Sequence, residues 1–389
     1  MAGELDVHEA NLRGAAHLYL GSQASAPLAQ PQRLFAIPSC RLEVRYACVS
    51  QGGFRPEDPT RGCQDSLVVA EGAGGDDEAL LVGVFDGHGE CGAQCAAFAK
   101  RRLLPALAHA AAGSPADAAG SLAAALGALN AELHASDELD SSLSGAEAAC
   151  VLLRGRELTV SNIGDVRVLL GRAPADGCAD GGAAGAPPAL DAVVLSSSHT
   201  PWRADERARL RAAGAEVASC DQKDGLVPLG DGAWEEAAAR QSARPSEVDP
   251  PRVWARGADA PGCAFSRSLG DALGETVGVC AEPDSHALTL RPGDGALLIG
   301  SAGLFAFLSH ERAMLAVARA AGPAEAARAL VAEAGEAWLR HEPRVADLTA
   351  FVAFFEWLPD ASAPIAAPPL PPPPSAGAYP RLRLSLIHI

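Results

Sequence analysis

The segment VGVFDGHGE, residues 82–90, runs an apolar strand into a turn that sets Asp86 against Gly87 and encloses His88 between two glycines. A carboxylate followed by glycine offers a hard cation both a charged oxygen and an unshielded backbone carbonyl. An isolated Asp-Gly pair is more often only a strand-ending turn, so the neighbouring motifs decide its meaning. RGCQDS places Gln64 and Asp65 just before another strand, with Arg55 and Arg61 close upstream. A guanidinium matches phosphate oxygens in a planar, bidentate fashion, although most loop arginines are simply solvated. NIGDVR sets Asp165 in what reads as a hairpin turn. In ALLIGSAGLFAFLSH, residues 296–310, a buried strand stops at Ser301-Ala302-Gly303, a suitable place for a further carboxylate, yet Ala302 has no ligating atom.

The elements that must position these residues follow from periodicity. RLEVRYACVS, residues 66–70 and ALLVGVFDG (79–87) read as strands, and two Ala- and Leu-rich helical segments follow at 91–110 and 117–136. AACVLLRG and ELTVSNIGDVRVLLGR look like consecutive antiparallel strands, DAVVLSS is another, and PWRADERARLRAAGAEV is helical as far as Gly214. Residues 218–262 read as a long irregular insertion. Helical stretches at 309–321 and 323–340 and a closing strand, LTAFVAFFEWL, complete the pattern. Antiparallel strand pairs with helices grouped in twos imply an α+β layered domain rather than a doubly wound sheet. Three regions are expected: a loosely ordered extension over 1–35, a folded domain over 36–358, and a Pro-rich low-complexity tail over 359–389. The final RLRLSLIHI follows no pattern of the fold.

Composition narrows the partners. The 389 residues are 48% hydrophobic, enough to fill a sizeable core, and carry 31 Lys+Arg against 48 Asp+Glu, a net charge of -17. Such a surface repels phosphate backbones and anionic headgroups, so neither nucleic acid nor membrane is an expected partner. The ten cysteines include no CxxC pair, and Cys91 and Cys95 stand one helical turn apart; they read as reduced core thiols of a cytoplasmic or nuclear protein. No basic start with an apolar h-region opens the chain, and no run reaches about 18 apolar residues.

Taken in order, GFRPEDPTRGCQDS, VGVFDGHGE, SNIGDVRVLLGR, SSSHTPWRADERARLRAAGAEV, RVWARGADAPGCAFSRSLGD and VGVCAEPD resemble the metal-dependent protein phosphatases of the PPM, or type 2C, serine/threonine class, over about residues 40–357. The resemblance implies an α-β-β-α sandwich of two central antiparallel sheets flanked by helix pairs. It also implies two divalent ions, Mg²⁺ or Mn²⁺, that activate a water to attack phosphoserine or phosphothreonine in proteins. Carried over by position, Asp86 matches the acid bridging both metals and the Gly87 carbonyl a ligand of the first. Asp65 matches an acid beside the centre, Gln64 stands at a Glu or Gln position, and His88 matches a proton donor to the leaving group. Either Arg55 or Arg61 matches the phosphate-binding arginine, and Asp165 matches an acid near a third metal.

Three positions depart from the family pattern. Ala302 replaces the aspartate of Ser-Asp-Gly, Ala306 replaces a further acid, and Ala346 replaces the first residue of the closing Asp-Asn or Asp-Asp pair, leaving Asp347 beside it. Mg²⁺ is held mainly by carboxylate charge, so one retained ion and a weak or absent second are expected. Asp347 is the available substitute, although a one-residue shift on a strand end turns the side chain to the other face. Three functions compete: an active phosphatase, a pseudophosphatase that binds phosphoproteins without turnover, and a scaffold whose Pro-rich tail recruits a partner with an aromatic groove.

Overall fold

The computed structural model describes residues 27–112, 117–174, 190–226, 234, 249–358 and 385–388. Along the chain run β1 (Leu28–Ala29), β2 (Arg33–Ile37), β3 (Leu42–Gln51), β4 (Ser66–Glu71) and β5 (Ala79–His88), then α1 (Gly92–Ala111) and α2 (Ala118–His134). Next come β6 (Gly145–Arg154), β7 (Glu157–Ile163), β8 (Arg167–Arg172), β9 (Asp191–Val194) and α3 (Ala204–Ala212). A small sheet follows in β10 (Glu216–Ala218), β11 (Arg252–Trp254) and β12 (Pro261–Cys263), with α4 (Cys220–Lys223) between its first two strands. The chain continues with β13 (Leu269–Gly270), α5 (Ala272–Glu275), β14 (Asp284–Thr289), β15 (Asp294–Gly300), α6 (Ala302–Phe305), α7 (His310–Arg319), α8 (Pro323–His341), β16 (Leu348–Trp357) and β17 (Ser385–His388).

Two seven-stranded antiparallel sheets form the centre. One has the order β1-β3-β16-β15-β8-β9 with β2 also on β3; the other has the order β14-β7-β6-β5-β4-β17 with β13 on β6. Their strands are apolar on both faces because each sheet is covered twice, and the period of two sorts the side chains. In β5, Leu80, Val82 and Val84 pack between the sheets while Ala79, Leu81 and Phe85 face α1 and α2. In β16, Phe351, Ala353 and Phe355 fill the centre while Leu348, Ala350 and Val352 meet the helical layer on the other side. Helix α1 answers with Cys95, Ala96, Ala99, Leu103, Ala106 and Leu107, the three- and four-residue spacing of one buried stripe. The result is the expected α-β-β-α sandwich.

Four details differ from the sequence expectation. Residues 28–37 pair with β3, so the sheet begins before the expected start at 36. Asp165 does not sit in a hairpin: β7 belongs to one sheet and β8 to the other, and the turn between them is a crossover. The region read as an irregular insertion contributes β10, β11 and β12, although 227–233 and 235–248 lie outside the described residues. Most of the Pro-rich tail also lies outside them, but Ser385–His388 pairs with β4, an edge strand that hydrophobic patterning did not announce.

Candidate active site

The ends of β4, β5 and β16 and the start of α6 meet around a cavity of about 420 Å³. Arg55, Arg61, Gln64, Asp86, Gly87, His88, Ala346 and Asp347 all line it, so the structure brings both candidate arginines to the same opening. Gln64 ties Arg61 to the turn: its Nε2 donates to the Gly89 carbonyl at 2.8 Å, and its Oε1 accepts from Arg61 Nη2. The Arg55 guanidinium has no side-chain hydrogen bond or ion pair among the described residues; burial, then Arg61 and Arg344, depress its pKa, with Glu57 and Asp347 opposing the shift. Glycine is required at 87 because a Cβ there would stand 2.4 Å from the Gly92 carbonyl and 2.6 Å from that of Gln64.

Buried carboxyl groups gather around Asp86, which lines the cavity. Asp86 is pushed up to about 8, by burial first and by the charge of Glu147 second, while the Ala302 backbone N–H donates to its Oδ2 at 2.8 Å and partly offsets the shift. Asp65 is 8% exposed, and its pKa is raised by burial and then by Asp86 and Asp347. The hydroxyls of Thr349 and Ser301 lie close enough to moderate its charge, yet neither Asp65 oxygen has a hydrogen bond of acceptable geometry. Glu147, which the sequence reading did not single out, is buried and likewise raised, first by burial and then by Asp165.

On the opposite sheet the three alanines behave differently from ligands. Ala302 presents its backbone amide to Asp86, Ala346 lines the cavity with a methyl group, and Ala306 follows the short helix α6. Asp347 is committed to the backbone: Oδ1 accepts from Gly53 N at 2.6 Å and Oδ2 from Gln64 N at 2.9 Å. It therefore holds the Arg-bearing loop against β16. The orphaned oxygens of Asp65, beside Asp86, are a donor set that fits a divalent ion such as Mg²⁺ or Mn²⁺. Among the described residues no group of three or more His, Cys, Asp or Glu is arranged to hold a metal by itself.

His88 faces the cavity with its Nε2 2.6 Å from Asp271 Oδ2, and Ser268 Oγ donates to that same oxygen at 2.6 Å. Asp271 is buried, in the left-handed region at φ 53, with its amide bonded to the Ser144 carbonyl. Upstream, Glu206 of α3 accepts from Ser266 and from Arg267, anchoring the SRSLGD segment that carries Asp271. Asp271 escaped the sequence reading as a site residue although the segment itself stood out. Asp165 is not among the residues lining the Asp86 cavity and forms an ion pair with Arg167 at 3.0 Å.

Two stacked antiparallel sheets carry Asp86, Asp347 and the two arginines to one cavity, and the comparisons with known proteins place the chain in a family. Residues 60–338 match the family described as protein phosphatase 2C. The chain is 34% identical over 319 residues to "probable protein phosphatase 2C 35" of Arabidopsis thaliana, covering 81% of this chain and 85% of that protein. It is 30% identical over 312 residues to "probable protein phosphatase 2C 48" of Oryza sativa subsp. japonica, covering 75% and 80%. The chain belongs to the protein phosphatase 2C family. Among solved structures, the serine-threonine phosphatase 2C from Toxoplasma gondii superimposes with a TM-score of 0.59 at 17% identity, covering 85% of this chain and 100% of that one, a likeness of fold. No helix of the described residues is long and apolar enough to cross a membrane.

Proposed function

We propose that the chain engages phosphoserine or phosphothreonine side chains of proteins in the cavity rimmed by Arg55 and Arg61, and hydrolyses them slowly, with one divalent ion where its family uses two. The observation that carries this reading is the cavity that gathers Asp86, Gly87, Arg55 and Arg61, while Ala302, which bonds Asp86 only through its backbone amide, brings no carboxylate of its own. A bound Mg²⁺ or Mn²⁺ supplies positive charge that activates water and neutralises phosphoryl oxygens. The chain's own residues do the rest. Arg55 and Arg61 grip and orient the phosphoryl group. His88, its ring held through Nε2 by Asp271, is placed to pass a proton to the departing seryl or threonyl oxygen. Asp86 and the Gly87 carbonyl hold the ion.

A second reading, binding without turnover, is favoured by the two arginines, Arg55 and Arg61, that line the cavity and attract an anion whether or not metal is bound. One assay separates the two: Mn²⁺-dependent hydrolysis of a phosphothreonine peptide by the purified protein, alongside its binding to the same peptide in EDTA. Slow, metal-dependent release of phosphate supports the first. Binding with no release at any Mn²⁺ concentration supports the second, and neither binding nor release sinks both. The Pro-rich tail, as a recruiting segment for an aromatic groove, lies almost wholly outside the described residues.

A further inference from the structure

The carboxylates that survive in this site are not scattered; they form a row across three neighbouring strands of one sheet. Asp86 pairs directly with Glu147 across β5 and β6. The β4–β5 register, Ser66 opposite Phe85, brings Asp65 opposite Asp86 one step further on. Each lies two residues from an inward-facing hydrophobe, Leu67, Val84 and Ala149 respectively, so all three side chains start from the inner face of the same sheet. Neighbouring strands stand about 4.8 Å apart, a spacing at which carboxylates repel one another unless protonated or bridged by a cation. On the next strand position Gly164 faces Glu147, and a Cβ there would come within 2.4 Å of Glu147 Cγ, so the backbone leaves room for this side chain. Glu147 lies under the charges of Asp86, Asp165 and Asp271 and of the cation Arg167, with the Asp165 backbone as a hydrogen-bond partner. Independently, Asp65 ends the row more than nine-tenths buried, with both oxygens lacking a hydrogen-bond partner.

Resting on the one-ion reading of the site, we propose that Glu147 is a metal-ligating residue of this chain, joining Asp86 so that the ion is held from one sheet instead of from two. The alanines at 302 and 306 follow β15 and the alanine at 346 precedes β16, strands of the other sheet, and Glu147 restores part of the missing negative charge from β6. Two carboxylates, one carbonyl and water are a sufficient set, because Mg²⁺ keeps several of its waters and is commonly held by one or two carboxylates. Asp65 then accepts from an ion-bound water.

The test is Mn²⁺ binding by the full chain, followed by calorimetry and by thermal unfolding with and without metal. The natural chain is expected to bind about one Mn²⁺ and to melt at a higher temperature when it does. Glu147→Gln, nearly isosteric, is expected to weaken Mn²⁺ binding by at least ~10-fold and to abolish most of the metal-induced rise, while its melting temperature in EDTA stays equal or rises because a buried ionisable group is replaced by a neutral one of the same shape. Unchanged Mn²⁺ affinity in Glu147→Gln overturns the proposal and leaves the Asp86 site standing. No Mn²⁺ binding by the natural chain at millimolar concentration overturns both. If Glu147→Gln does not fold, anomalous scattering from Mn²⁺ soaked into crystals of the natural chain decides: an ion touching both Asp86 and Glu147 supports the assignment, and an ion touching Asp86 without Glu147 overturns it.

Discussion

Restoring carboxylates at both Ala302 and Ala346 should separate a broken metal centre from a distorted fold. Ala302 opens α6 with its N–H on Asp86, and Ala346 lines the cavity that Asp86 also lines, so Ala302→Asp with Ala346→Asp adds two anions beside Asp86 and its buried neighbours Asp65 and Glu147. Two unit charges about 5 Å apart repel by about 3 kcal/mol at an effective dielectric near 20. Without metal the double variant should therefore melt lower, by up to about 10 °C at roughly 2–4 °C per kcal/mol for a large domain. With Mn²⁺ the sign reverses, because the new charges become ligands: the metal-induced rise should exceed that of the natural chain, and a second Mn²⁺ should appear in calorimetry. Hydrolysis of a phosphothreonine peptide should increase at least ~10-fold, about 1.4 kcal/mol of barrier, well within what a second metal ion can supply. Each single variant should recover less than half, since one carboxylate leaves the ion weakly held. The reasoning fails if the natural chain already turns over at about 1–100 s⁻¹, or if the double variant takes up a second Mn²⁺ and gains nothing.

The cavity arginines are next. Arg55→Ala and Arg61→Ala should each weaken phosphopeptide binding, by about 1–3 kcal/mol for loss of a charged hydrogen bond, and titration in EDTA checks this because no metal is then involved; unchanged binding in both refutes the assignment. For pH, burial lifts Asp65, Asp86 and Glu147, Asp86 to about 8, so the folded metal-free chain keeps protons that the unfolded chain has released. These groups contribute stability that is full below about pH 4 and is lost as pH rises towards about 8, so urea unfolding in EDTA should show a lower midpoint at pH 7.5 than at pH 5.5. Glu206 acts the other way: although burial alone raises it, hydrogen bonds from Arg267, Arg209 and Ser266 hold it well below the usual range, and its loss of stability begins only under about pH 4.5. In the core, Phe351→Ala should cost about 3–5 kcal/mol, because the ring is fully buried between the sheets with its centroid 5.6 Å from that of Tyr46; a change under about 1 kcal/mol in urea denaturation contradicts the packing described.

The layers were legible because each sheet is covered on both faces, which makes its strands apolar throughout and its helices amphipathic, and both signatures are local. What crosses between sheets was not. The turn carrying Asp165 has the composition of a hairpin, and only the fact that β7 and β8 join different sheets makes it a crossover. Asp347 shows the same limit: a one-residue shift predicts that it turns away from the metal position, but not that its carboxylate is taken by the Gly53 and Gln64 amides, more than 280 residues away in sequence. Glu147 left a readable trace, a lone acid in the apolar run of β6 at the register of inward-facing Ala149 and Val151. A buried strand rarely keeps such a charge without a partner.

The placement of the alanines explains how the domain tolerates them. At the end of the sheet that contains β15 and β16, the chain is held by bonds that need no carboxylate in the cavity. Ser301 N donates to the Thr349 carbonyl, Thr349 N donates to Ser301 Oγ, and the Thr349 hydroxyl meets that of Ser50 at 2.8 Å. Trp338 of α8 closes the other side by donating from Nε1 to the Gly303 carbonyl. A ligand lost here removes charge and leaves the backbone where it was. The same loss in the other sheet would strike the strand pairs themselves, since Asp86 and Glu147 lie inside the β5–β6 ladder. Metal affinity can therefore decline on the β15–β16 side while the fold and the arginine-rimmed mouth persist.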